Sequence, residues 1–326
     1  MDRRQFIALF TSIAVAWPLT ADAQQPSQPM VGYLGLTSAK GEAEMVGSFR
    51  KGLREAGFEE GRNVTVELRF AGGDISRLPA LAAELVGRNA SVILTGTTVG
   101  AIAAKKTTST VPVVFVMGAD PIKSGLVAQL NRPGANLTGV SFFTNQMESK
   151  RLGLLHELVP NVELIGVLLN ANNPFFDSQL KDLNDASRTL GIKVHVERAS
   201  TEDEIAKAFK AFGQHRAGAV LVGADPYFNS RRSLVIDPVT QLRVPAIYEW
   251  REFAEAGGLM SYGTSLTDSF RQSAGFVARI LKGENPADLP VVQSTKFEFV
   301  INLKTAKQLD IVVPPGLSAR ADDILE

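Results

Sequence analysis

The sequence predicts an α/β chain built as two doubly wound parallel-sheet lobes. Short apolar, β-branched runs alternate with amphipathic helical segments, the alternation restarts near Glu163, and the 326 residues exceed what one hydrophobic core usually serves. In the first half the strand-like runs are 31–36, 64–70, 91–95, 111–117 and 137–142. Between them, Met45, Phe49, Leu53 and Ala56 form a helical stripe ending at Gly57. Leu78, Leu81, Leu85 and Val86 form a second stripe, and Val99, Ile102 and Ala103 a third. Parallel neighbours need crossover connections, so this order implies a sheet covered by helices on both faces.

The second half repeats the pattern with runs at 164–169, 192–196, 219–222, 244–248 and 259–262. Its helices are marked by Phe176, Leu180, Leu183 and Leu190 ending at Gly191, and by Ile205, Ala208, Phe209 and Phe212 ending at Gly213. Gly-Ala-Asp-Pro occurs twice, at 118–121 and 223–226, after the fourth strand of one half and the third of the other. Asp120 and Asp225 can therefore cap helices that start on proline. They also stand beyond strand carboxyl ends, where open parallel sheets bind ligands.

Residues 1–23 read as a cleaved export signal: Arg3 and Arg4, an apolar run from Phe6 to Leu19 broken by Pro18, then Ala21-Asp22-Ala23. The run is shorter than the roughly twenty residues of a spanning helix. Arg3-Arg4 followed by Gln5-Phe6-Ile7 suits either the twin-arginine or the general secretory route, and both lead to the periplasm. The chain carries 34 basic and 34 acidic residues with no long like-charge block, which argues against a nucleic-acid or membrane-surface partner. It has no cysteine, which excludes disulfides, thiol catalysis and a lipid-modified N-terminal cysteine. His156, His195 and His215 have no metal-ligand spacing, and no phosphate-loop, dinucleotide or nucleophile-elbow motif occurs. Neither an enzyme nor a cofactor is expected. A monomer that binds a small neutral or zwitterionic ligand is.

Candidate ligand residues follow from position. Thr97 and Thr98 open a helix directly after a strand, where hydroxyls and amides can receive an anion, although a threonine there also caps its own helix. Thr37 and Ser38 follow the first strand as hydroxyl donors or plain turn residues. Asn170, Asn172 and Asn173 precede Pro174-Phe175-Phe176 and offer amides beside aromatic surface. Tyr248 and Tyr262 end strands of the second half, and Glu249 and Trp250 follow Tyr248 directly. Tyr33 reads as core. The adjacent Arg231 and Arg232 read as a solvated helix face.

Several ordered segments carry a resemblance. They are Val111-Pro112-Val113-Val114-Phe115 with Asp120-Pro121, Asn136-Leu137-Thr138-Gly139-Val140-Ser141, and Ile165-Gly166-Val167-Leu168 leading to Asn170. Further along stand Gly257-Gly258-Leu259 with Ser261-Tyr262-Gly263, and Ile280-Leu281-Lys282-Gly283 with Pro286-Ala287-Asp288. The last is Val300-Ile301-Asn302-Leu303-Lys304-Thr305-Ala306. This order resembles the substrate-binding components of bacterial ABC transporters with the type I periplasmic binding protein fold, in the branch similar to tryptophan and tyrosine binders. The resemblance implies two lobes joined by three crossing strands, a ligand held between them, and delivery to an inner-membrane permease. It implies crossings near Thr144, 262–264 and Lys296, and hence lobes of 29–143 plus 264–292 and of 144–263 plus 293–326. It points to Thr97, Thr98, Asp120, Asn170, Asp225 and Tyr248 as ligand residues, and to an aromatic amino acid or related compound as ligand. Two other readings of the sequence remain: an exported sensor presenting its closed form to a receptor, and an exported cofactor enzyme.

Overall fold

A computed structural model describes residues 28–142 and 147–326. The export segment 1–23 and the expected crossing near Thr144 lie outside the described residues. In the first half β1 (Met30–Gly35), α1 (Ala43–Glu55), β2 (Thr65–Phe70), α2 (Leu78–Gly87), β3 (Val92–Thr95), α3 (Thr98–Thr107), β4 (Val113–Met117) and β5 (Leu137–Ser141) follow one another. The second half begins with α4 (Glu148–Leu158), β6 (Leu164–Leu169), α5 (Phe176–Leu190), β7 (Lys193–Arg198), α6 (Glu202–Gln214) and β8 (Ala219–Val222). It continues with α7 (Pro226–Ser230), α8 (Arg232–Leu242), β9 (Ala246–Tyr248), α9 (Arg251–Glu255), β10 (Met260–Thr264) and α10 (Leu266–Leu281). The chain ends with β11 (Val292–Gln293), β12 (Phe297–Asn302), α11 (Leu303–Gln308), α12 (Pro315–Ser318) and β13 (Asp323–Leu325).

Two sheets result. The first is β11-β5-β4-β3-β1-β2, parallel throughout. The second is β13-β12-β10-β9-β8-β6-β7, parallel except between β10 and β12. Central strands covered on both faces need continuous apolar runs, and β4 and β8 are buried at every residue. The edge strands β2 and β7 are only partly buried and carry charged residues, which discourages further pairing.

After β10 the chain leaves the second sheet, and α10 packs on α1 and against β3, β4 and β5 of the first. Gly52 permits that approach, since a Cβ there would lie 2.4 Å from the Arg271 carbonyl oxygen. β11 then pairs with β5, and β12 returns to the second sheet beside β10. α5 ends as expected, with Gly191 at φ 70°. α6 does not end at Gly213. It runs to Gln214, and Arg216 takes the left-handed conformation at φ 55°.

The second half is organised around an ion pair with no solvent exposure on either side chain. Arg151 lies 2.7 Å from Glu148, one helical turn away on α4, and donates to the Tyr262 carbonyl on β10 at 3.1 Å. Glu148 also accepts from the Ala224 amide and from Gln179 Nε2 on α5, both at 3.2 Å. Burial opposes the guanidinium's charge, but Glu148 and Glu249 hold it above its ordinary range. Replacing Arg151 by Met leaves Glu148 buried without its counter-charge, and a loss of about 3–5 kcal/mol in urea unfolding is expected. A loss under about 1 kcal/mol, the scale of an exposed pair, would contradict this role.

Glu252 on α9 is also buried, and burial pushes its carboxyl up to about 7. The native state therefore holds this proton where the unfolded chain has lost it, so stability falls as pH rises from the ordinary carboxylate range through about 7. Melting temperatures at pH 5.5 and 8 should fall less for Glu252→Gln than for the unaltered protein.

Candidate ligand-binding cleft

Both sheets share one winding. Their first five strands lie in the order 2-1-3-4-5, so the chain reverses direction between β1 and β3 in one sheet and between β6 and β8 in the other. At such a reversal the loops beyond the strand ends diverge and leave a crevice. The two crevices face each other across a cleft of about 490 Å³, in the size range of small-molecule sites.

On the first side, Thr37 follows β1 and its amide and hydroxyl both donate to Glu42 Oε1, at 2.7 and 2.9 Å. The other oxygen of Glu42 accepts from the Tyr33 hydroxyl at 2.7 Å, so Tyr33 is core and supports the cleft floor from behind. Burial, together with the Glu42 charge and hydrogen bond, drives the Tyr33 hydroxyl well above its ordinary range. After β3, Thr97 caps α3 by accepting from the Gly100 amide at 3.1 Å, and its carbonyl takes the Ala101 amide. The amides of Thr98 and Val99 are left to other acceptors at the positive end of the helix. Gly96 brings Phe270 of α10 beneath this turn, where a Cβ would come within 2.4 Å of the ring.

On the second side, Asp225 follows β8 and caps α7 by accepting from the Tyr227 amide at 2.8 Å. Asn170 and Asn173, after β6, donate to its two carboxylate oxygens at 3.0 and 2.8 Å. Burial still raises the Asp225 carboxyl above its ordinary range despite these bonds. Glu249 and Trp250, after β9, complete the wall together with Phe175 and Tyr227. The charged lining side chains among the described residues are Glu42, Asp74, Asp225 and Glu249, all carboxylates. Ser76 holds the exposed Asp74 carboxyl below its ordinary range.

The two sides meet at the mouth. Arg232 on α8 reaches Glu44 on α1 at 3.1 Å, and a Cβ at Gly41 would lie 2.7 Å from that of Ser230. Arg231 stacks over Tyr227 at 4.0 Å and pairs with Glu202 at 3.0 Å. The arginine pair is thus engaged at the cleft mouth rather than standing on a solvated face.

Of the sequence-derived candidates, Thr37, Thr97, Thr98, Asn170, Asn172 and Asp225 line the cleft. Four lie elsewhere. Ser38 is exposed and accepts from the Gly41 amide as a turn residue. Asp120 accepts from the amides of Ile122 and Lys123, and its copy of Gly-Ala-Asp-Pro follows β4, beside the reversal point rather than on it. Tyr248 is core, stacked on Phe253 at 4.7 Å, because strand alternation turns it away from the cleft. Tyr262 lies within β10 and stacks on Phe297. Sequence reasoning missed Glu42, Phe142 and Phe270. Glu42 follows a turn with no local motif, and Phe270 belongs to a helix that returns to the first sheet from far along the chain.

Comparison with known proteins follows this architecture. A tyrosine-binding protein of Clostridioides difficile is 25% identical over 263 residues, 81% of this chain and 75% of its own length. The L-Trp complex of an ABC domain from Streptococcus pneumoniae superposes with a TM-score of 0.81 at 26% identity, covering 92% of this chain and all of that one. A conserved domain protein of Vibrio cholerae gives a TM-score of 0.83 at 28% identity, over 91% and 99% of the two chains. The architecture is that of type I periplasmic binding proteins. With residues 11–325 matching the family of ABC transporter substrate binding proteins, this chain belongs to that family.

Proposed function

We propose that this protein is a periplasmic, monomeric substrate-binding component that traps an aromatic amino acid or close relative between its lobes and presents it to an ABC permease. The lobes are 29–143 plus 264–292 and 144–263 plus 293–326, and residues 1–23 direct export. One observation carries the ligand class. The cleft sets the Thr98 and Val99 amides on one side against the buried carboxylates of Asp225 and Glu249 on the other, with the first-side carboxylate Glu42 already taken up by Thr37 and Tyr33 and with aromatic rings in the lining. A zwitterion matches that polarity. Its carboxylate suits the Thr98 and Val99 amides, its ammonium suits Asp225, and its ring suits Phe142, Phe175, Phe270 and Trp250. An ammonium there also offsets the burial that raises the Asp225 carboxyl. The names of the relatives, a tyrosine-binding protein and an L-Trp complex, support the same class.

Binding needs no covalent step. A ligand touching both lobes favours the closed form by its differential affinity for that form. The exposed Arg232–Glu44 pair contributes about 0–1 kcal/mol, whereas shifting a population from 1:99 to 99:1 takes about 5.5 kcal/mol. Closure is therefore left to the ligand.

Thermal unfolding of the mature protein, refolded to remove carried-over ligand, tests the class. L-tyrosine or L-tryptophan at a hundred times its dissociation constant should stabilise by about 2.7 kcal/mol, a rise of roughly 4–5 °C for a chain of this size. A rise with a sugar, and none with either amino acid, would refute it.

A further inference from the structure

Trp250 carries a donor that the fold does not use. Its side chain lines the cleft at 5% exposure, within the apolar cluster that also contains Phe142, Leu266 and Phe270. Its Nε1–H meets no acceptor among the described residues. An indole has one donor and no acceptor, so a buried, unpartnered indole N–H in the wall of a binding cavity is a cost in the empty site and a resource in an occupied one. Across the same cavity the Thr98 and Val99 amides likewise remain free of the bonds that occupy Gly100 and Ala101.

We propose that the Trp250 indole N–H is a ligand-binding donor, and that it takes the ligand's carboxylate from the second-lobe side while α3 takes it from the first. This rests on the ligand class proposed above. Tyrosine and tryptophan differ in their ring substituents, and the acceptor group they share is the α-carboxylate. A donor serving both must therefore meet that group. A carboxylate held from both lobes is also the differential contact that closure requires. Trp250 then does more than offer a flat face, and a phenyl ring cannot replace it.

Trp250→Phe keeps an aromatic surface and deletes the donor. Calorimetric titration should show L-tyrosine and L-tryptophan binding about five- to a hundredfold more weakly to the variant. Tyramine and tryptamine, which lack the carboxylate but keep the ring contact, should lose clearly less affinity in the variant than the two amino acids do. In the unaltered protein Trp250 is the one tryptophan beyond residue 23, so its indole N–H gives a single proton–nitrogen NMR signal. That signal should move downfield on adding L-tyrosine. Equal affinity of both proteins for the two amino acids, or a signal that stays in place under saturating L-tyrosine, overturns the inference. Failure of the unaltered protein to bind either amino acid overturns the ligand class and the inference with it, and its own titration shows which has failed.

Discussion

The second wall of the cleft hangs on one buried guanidinium. Arg151 and Glu148 join α4 to the Tyr262 carbonyl of β10, to Gln179 of α5 and to the Ala224 amide, which directly precedes Asp225. Glu249, the residue directly after β9, also acts on the Arg151 charge. Two charges removed from water persist only where further polar groups complete their shells, and here those groups come from α5, from β10 and from the end of β8 that leads into the site. The same pair thus fixes the loops after β8 and β9 relative to each other and to the strand from which the chain crosses to the first sheet.

Winding order decides which loops matter. Because both sheets reverse between their first and third strands, the loops after β1, β3, β6 and β8 flank the cleft directly. This separates the two Gly-Ala-Asp-Pro copies: one aspartate closes a turn beside the reversal, the other is a buried cap bonded by two asparagines. The electrostatics then follow from local geometry. A helix start supplies amides from the first lobe, where Glu42 is taken up by Thr37 and Tyr33, and Asp225 and Glu249 supply negative charge from the second. The ligand class proposed here is the one whose charge pattern spans that gap.

Much of this was legible in the sequence. Apolar runs of strand length, helical stripes and a glycine after α5 are local signals, and they locate elements because burial on both faces demands them. Legibility ended where residues act through distant partners. Glu148 and Arg151 are spaced as an ordinary exposed helix pair, and nothing local says that both are buried. Tyr248 and Trp250 differ by two positions around a strand end, yet one stacks in the core while the other lines the cleft. Periodicity does not carry past the last strand residue. Arg231 and Arg232 looked solvated because their partners, Glu202 and Glu44, come from remote parts of the chain.

The central claim is that a ligand spanning the cleft holds the two lobes closed. The cysteine-free chain permits it to be tested with two spin labels, at Lys123→Cys beyond β4 and Asp203→Cys on α6. Distances measured by pulsed electron resonance should be longer and broader without ligand, and should collapse to one shorter population with saturating L-tyrosine or L-tryptophan. An unchanged distribution while calorimetry shows the same ligand bound would contradict the account.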